Sequence, residues 1–200
     1  RVLSVLLGAC SNSVSYGDEQ AVETTTIDFG STDLQAIAGE MVDSMMASGS
    51  VSYITRDQRP IVFVEPIKNK TSEHIDTESI TDTISTKMLN SGKFRFVDMD
   101  RVESVREQLN FQNNDELVNQ SSAIQFGKMV GAQYMLYGNL SSIVKKAGSD
   151  EDVYYKMTMR LMDIESGLIE WADEPEIRKQ QSKSLRGLYF RFPATFEHLL

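Results

Sequence analysis

From Thr32 onward the apolar positions follow a helical period. Leu34, Ile37, Ala38, Met41, Val42, Met45 and Met46 fall on one face of a predicted helix. Thr32 with Gln35 three residues later forms a capping-box pattern, and Gly49 is the expected stop. The methionines in this stripe suit a packed core face, or else an adaptable binding surface. "PIVFVEPI" (Pro60 to Ile67) is short, apolar and β-branched, which predicts a buried strand. After the polar loop "KNKTSEHID", Ile80, Ile84 and Met88 mark the inner face of a second helix, ended by Asn90-Ser91-Gly92. "KFRFVD" alternates Phe94 and Phe96 with charges and predicts a strand. Asp100 with Glu103 forms a second capping-box pattern and opens a helix through Leu109. A polar connection, "FQNNDELVNQ", then leads to a helix capped by Ser121, carrying Ile124, Met129 and Val130 and closed by Gly131.

The last third changes period. Gln133 to Val144 predicts a strand and Lys145 to Asp152 a polar loop. In the next strand Val153, Tyr155, Met157, Met159 and Leu161 occupy one face, with Lys156, Thr158 and Arg160 on the other. "IESG" is a turn, and "LIEWAD" is the closing strand. Successive strands with short connections make an antiparallel meander. The expected fold is therefore a single α/β (α+β-like) domain. One mixed sheet of about five strands carries helices packed on it and ends in a three-stranded antiparallel meander.

Composition narrows the function. The chain has 200 residues and a net charge of -9, which gives no general attraction to nucleic acid or to an anionic membrane surface. No apolar run reaches the roughly 18 residues of a membrane-spanning helix. One cysteine cannot form an internal disulfide or a CxxC zinc site, and His74 and His198 lie far apart, so neither a metal nor a cofactor is expected. Nucleophile elbows, Gly-rich phosphate loops and HExxH helices are absent from the sequence. His74 reads as a solvated loop residue. The abundant carboxylates leave room for an acid pair of the kind used in glycoside hydrolysis, but they sit mostly on caps, linkers and polar strand faces. The expectation is a non-catalytic domain.

The single cysteine, Cys10, stands in "SVLLGACSNS". With Arg1 in place of an initiating methionine, residues 1–9 read as the remnant of a lipoprotein signal peptide, with small Gly8-Ala9 before the cleavage point. Leu7-Gly8-Ala9-Cys10 resembles the bacterial lipobox, which implies that Cys10 is lipidated. Ser11 after the cysteine is compatible with sorting to the outer membrane. The alternative is a buried edge strand with an inert cysteine. Residues 10–31 form the lipidated cysteine and an acidic linker without Lys or Arg, 32–181 the globular domain, and 182–200 a basic-aromatic tail of unknown role.

Five stretches carry a wider resemblance: "YGDEQAVETTTIDFGSTDLQAIAGEMVDSM", "VFVEPIKNKTSEHIDT", "GKFRFVDMDRVESVREQL", "SAIQFGKMVGAQYMLYGNLSSI" and "YKMTMRLMDIESGLIEW". Over roughly Leu7 to Gln181 the chain resembles the LpoB-type outer-membrane lipoprotein family, whose fold is like the N-terminal domain of TolB. The resemblance implies a periplasmic, lipid-anchored monomer that binds the regulatory domain of a bifunctional class A penicillin-binding protein. Binding would stimulate peptidoglycan synthesis, both glycosyl transfer and transpeptidation. It also implies that Tyr137, at the tyrosine of the family's strand motif, faces the partner. As a strand residue, Tyr137 reads equally well as sheet core. The chain departs from the family in its short acidic linker, where the family has a long Pro-rich one, and in Leu168, where the family has an acid. Two rivals stand beside this reading. One is a CsgG-like secretion or assembly lipoprotein, for which the one strand of pore length, Val153 to Asp163, lacks a matched neighbour. The other is a carboxylate-dependent cell-wall hydrolase.

Overall fold

The computed structural model describes residues 26–109, 120–148 and 150–182. Cys10, His198 and the 182–200 tail beyond its first residue lie outside them, as does nearly all of the acidic linker. The first apolar stripe folds as α1, Ser31–Ala47, with Ile37, Ala38, Met41, Val42 and Met45 buried. Its N-cap is Gly30 rather than Thr32. The Gly30 N–H donates to Asp33 Oδ2 at 2.8 Å, because a carboxylate at the third helical position is a stronger acceptor than a hydroxyl and also favours the positive helix end. Gly49 does not stop the chain. It begins a short helix, α2, Gly49–Ile54, capped by Ser48.

β1, Ile61–Val64, is the core of the predicted first strand. Two residues of the predicted loop, Lys68–Asn69, form β2. α3, Thr77–Asn90, is capped by the Asp76 carboxylate and buries Ile80, Ile84 and Met88. β3, Arg95–Phe96, follows. α4, Met99–Gln108, starts earlier than predicted, because the Asp98 side chain takes the cap. α5, Gln120–Val130, ends at Gly131, whose φ of 80° is a left-handed value that favours glycine.

β4, Tyr134–Ala147, and β5, Asp150–Asp163, form a hairpin of two 14-residue strands, paired from Tyr134↔Asp163 to Ala147↔Asp150. The expected loop from Lys145 to Asp152 is therefore strand as far as Ala147 and again from Asp150. Gly148, directly after β4, has a left-handed φ of 62° that favours glycine. The expectation that β5 lacks a matched neighbour is likewise overturned, since β4 matches it residue for residue. β6, Ile169–Asp173, closes the predicted meander. β7, Glu176–Ser182, extends it. Met159 opposes Asp173 and Lys156 opposes Glu176, so β6 and β7 share one register along β5. Between them Pro175 supplies no N–H, though its carbonyl still accepts from Met157 at 3.1 Å.

The strand order is β3-β1-β4-β5-β6, with β2 beside β4 and β7 beside β5. The β1, β2 and β3 pairings are parallel, and those of the last third are antiparallel. This is the mixed sheet expected from sequence, enlarged by two minor strands. One apolar cluster joins α1, α2 and α3 to Leu136, Leu140, Met157, Met159, Leu161 and Trp171. The other joins α4 and α5 to Phe63, Met135 and Ile164 on the opposite side. The sheet is thus sandwiched between two helical layers, but α4 and α5 cover only β1 and the adjoining ends of β4 and β5 on their side.

Candidate docking face

Beyond α4 and α5, the outer face of β4, β5, β6 and β7 is open. From Ala172 to Gln180 the exposed positions are Ala172, Glu174, Glu176, Arg178 and Gln180, every second residue, as a sheet with one face in water requires. On β5 the same face carries Asp152, Tyr154, Lys156, Thr158 and Arg160. On β4 it carries Tyr137, Asn139, Ser141, Ile143 and Lys145.

The β5–β7 half of this face is saturated by its own pairs. Arg178 holds Asp152 with contacts of 2.6 and 3.0 Å, and Lys156 pairs with Glu174. These partners hold the carboxyls of Asp152 and Glu174 below their ordinary values and raise Lys156. A hydrogen bond to Glu176 raises Tyr154. A surface that satisfies itself in this way is well hydrated and offers little to a partner.

The β4–β5 half differs. Tyr137 lies directly across from Arg160. The Tyr137 ring packs on the second apolar cluster yet stays half-buried. Neither the Tyr137 hydroxyl nor the Arg160 guanidinium has a hydrogen-bond or ion-pair partner among the described residues. Ile143, further along the same strand, is 57% exposed. A phenol, an unpaired cation and an aliphatic side chain in line on a rigid sheet have the composition of a protein-binding anchor. Gly138 holds the two strands close here. A Cβ on it would lie 2.2 Å from the Thr158 carbonyl oxygen.

Of the site residues expected from sequence, Tyr137 lies on this face and Cys10 lies outside the described residues. The structure adds Arg160, which the sequence places on a polar face but not across from Tyr137. That pairing depends on the length of the β4–β5 turn, which the charged residues on either side of it disguise. His74 lines a shallow groove between the starts of α1 and α3, among Asp28, Glu73 and Asp76. Among the described residues no group of three His, Cys, Asp or Glu side chains could hold a metal ion, and no helix is long and apolar enough to cross a membrane.

Three comparisons bear on this arrangement. The family model described as peptidoglycan-synthase activator LpoB matches residues 33–177. The chain is 28% identical over 120 residues to the penicillin-binding protein activator LpoB of Salmonella typhimurium, covering 60% of this chain and 53% of that protein. It is 26% identical over 140 residues to the same-named protein of Escherichia coli K12, covering 70% of this chain and 60% of that one. The chain thus spans little more than half the length of these relatives. Among solved structures, the LpoB C-terminal domain from Escherichia coli superposes with a TM-score of 0.57 at 24% identity, over 72% of this chain and 98% of that domain, a likeness of fold.

Proposed function

The chain belongs to the LpoB family of peptidoglycan-synthase activators, and from that membership we propose that it binds and activates a bifunctional class A penicillin-binding protein, catalysing nothing itself. In this reading Cys10 carries the lipid that anchors it to the periplasmic side of the outer membrane, with residues 10–31 as tether and 32–181 as the activating domain. Each buried acyl methylene contributes about 0.8 kcal/mol, so two or more chains hold a soluble domain durably. The domain raises synthesis by binding the synthase's active conformation more tightly than its resting one. Differential affinity is all that such an activator needs.

The observation that carries the docking half of the proposal is the Tyr137–Arg160 pair. The phenol and the guanidinium stand on paired strands without a hydrogen bond or ion pair among the described residues, while on the neighbouring β5–β7 half Arg178 pairs with Asp152 and Lys156 with Glu174. Tyrosine and arginine are the side chains that most often dominate protein interfaces.

The test immobilises the whole chain and measures capture of purified class A synthases. Tyr137→Ala and Arg160→Glu should each weaken capture about tenfold or more while leaving the thermal unfolding midpoint within a few degrees of the parent. Unchanged capture by both variants would remove this face from the proposal.

A further inference from the structure

Among the described residues, β4 has no strand partner on the side away from β5 beyond Leu140. The Glu65 N–H donates to the Leu136 carbonyl at 2.8 Å, and the Lys70 N–H to the Leu140 carbonyl at 2.7 Å. Even-numbered residues of β4 therefore turn their main-chain groups away from β5, and the period carries this on to Ser142, Val144 and Lys146. Pairing with β2 ends at Leu140. Among the described residues, no strand pairs with β4 on that side past this point. An edge of this kind is a template for another strand.

The chain's own path leads to the same place. A groove beside the edge is lined by Ile27, Asp28, Val144, Lys146, Glu151 and Val153. The segment that enters it is clamped. The buried Tyr155 hydroxyl donates to Glu73 at 2.6 Å and reaches the Ile27 carbonyl at 3.4 Å. Phe29 stacks edge-on against the Tyr155 ring at 5.3 Å, and its N–H donates to Glu73. Lys179 donates to the Asp28 carbonyl at 2.6 Å and pairs with Asp33. Ile27 is thereby held at the groove that Val144 and Lys146 also line, and residues 21–26 immediately precede it in the sequence.

We propose that residues 21–26, Ala-Val-Glu-Thr-Thr-Thr, add to the Ser142–Lys146 edge of β4 as a further strand. Val22 and three successive threonines are β-formers. The acidic segment they belong to, with Asp18, Glu19 and Glu23, contains no Lys or Arg from Ser11 to Thr32. The edge presents Lys145, which has no ion pair among the described residues, next to Lys146, which reaches Glu151 at 3.0 Å. Edge lysines deter pairing with arbitrary strands. An acidic strand converts the same lysines from a deterrent into a selector.

The test is amide hydrogen exchange, read residue by residue on the whole chain. The Val144 and Lys146 amides should be protected in the parent. They should exchange about tenfold or more faster in a Thr24→Pro/Thr25→Pro double variant, which removes donors in either register. Glu23→Lys should accelerate them in the same direction. The Leu136 amide, inside the sheet, serves as the folding control and should not change. Three outcomes would each overturn the proposal. The two edge amides could already exchange freely in the parent, they could exchange equally in parent and double variant, or their protection could fall on dilution, which marks a second copy on the edge.

Discussion

At the scale of the residue, single atoms decide whether the docking strand forms. Gly138 faces Met159 across the hairpin, and any Cβ there would meet the Thr158 carbonyl oxygen at 2.2 Å. Backbone cannot yield as a flexible side chain can, so Gly138→Ala should cost about 1–3 kcal/mol and lower the thermal midpoint. A second decisive pair lies beneath α4. Arg106 is ion-paired with Glu65, both nearly buried, and its guanidinium lies 5.7 Å over the Phe126 ring. Burial pushes the Glu65 carboxyl above its ordinary value against the opposing pull of Arg106, and one of its oxygens has no hydrogen-bond partner among the described residues. Removing one charge strands the other. Glu65→Leu alone should therefore cost about 3–5 kcal/mol, and adding Arg106→Met should recover a large part of it; urea unfolding of the single and double variants measures both. In the sequence, Glu65 is a single charge inside an apolar run, and nothing there names its partner. Such pairs are set by how helices pack on a sheet, and local pattern does not encode that.

At the scale of the element, caps and turns moved most. The helices expected from periodicity are all present, because amphipathic stripes follow directly from burial on one side. Their starts moved to where a carboxylate makes the stronger cap, Asp33 accepting from the Gly30 N–H and Asp98 from the Asp100 N–H. The distal part of the β4–β5 hairpin, from Lys145 to Asp152, was misread as a loop. It projects past the helices, carries Lys145, Lys146, Glu151 and Asp152, and shows no apolar alternation to detect. Charge pairs across β5 and β7 help hold this half, and they set its pH response. Asp152 and Glu174 are held below their ordinary values of 3.8 and 4.5. The folded state therefore binds fewer protons than the unfolded one, so the stabilisation is whole above those values and is lost as pH falls through the folded ones. Glu65, raised by burial, has the opposite sign and contributes less as pH rises past 4.5. Acidification should thus speed amide exchange in β7 before it does so in β1, and Arg178→Met should flatten the β7 response. Equal acid sensitivity of the two strands would contradict this assignment.

At the scale of the whole molecule, the two helical layers are unequal, and that inequality leaves open the sheet face on which docking is proposed. α1, α2 and α3 back the sheet on one side, whereas on the other α4 and α5 reach only the near ends of β4 and β5. The layer arrangement was legible from element order, because a helix–strand alternation followed by a meander has few economical solutions. The proposed docking face was legible only in part. Tyr137 was named through the family resemblance, while its cross-strand neighbour Arg160 follows from register, and register follows from a turn that composition hides. The account's central claim is that this domain acts by binding, through that face, and not by chemistry of its own. The most direct measurement is the rate of glycan polymerisation by a captured class A synthase, with and without saturating chain, alongside the chain alone on isolated peptidoglycan. The account predicts a faster synthase, a gain lost in Arg160→Glu, and no product released by the chain alone. A captured synthase whose rate does not change, or fragments released by the chain unaided, would contradict it.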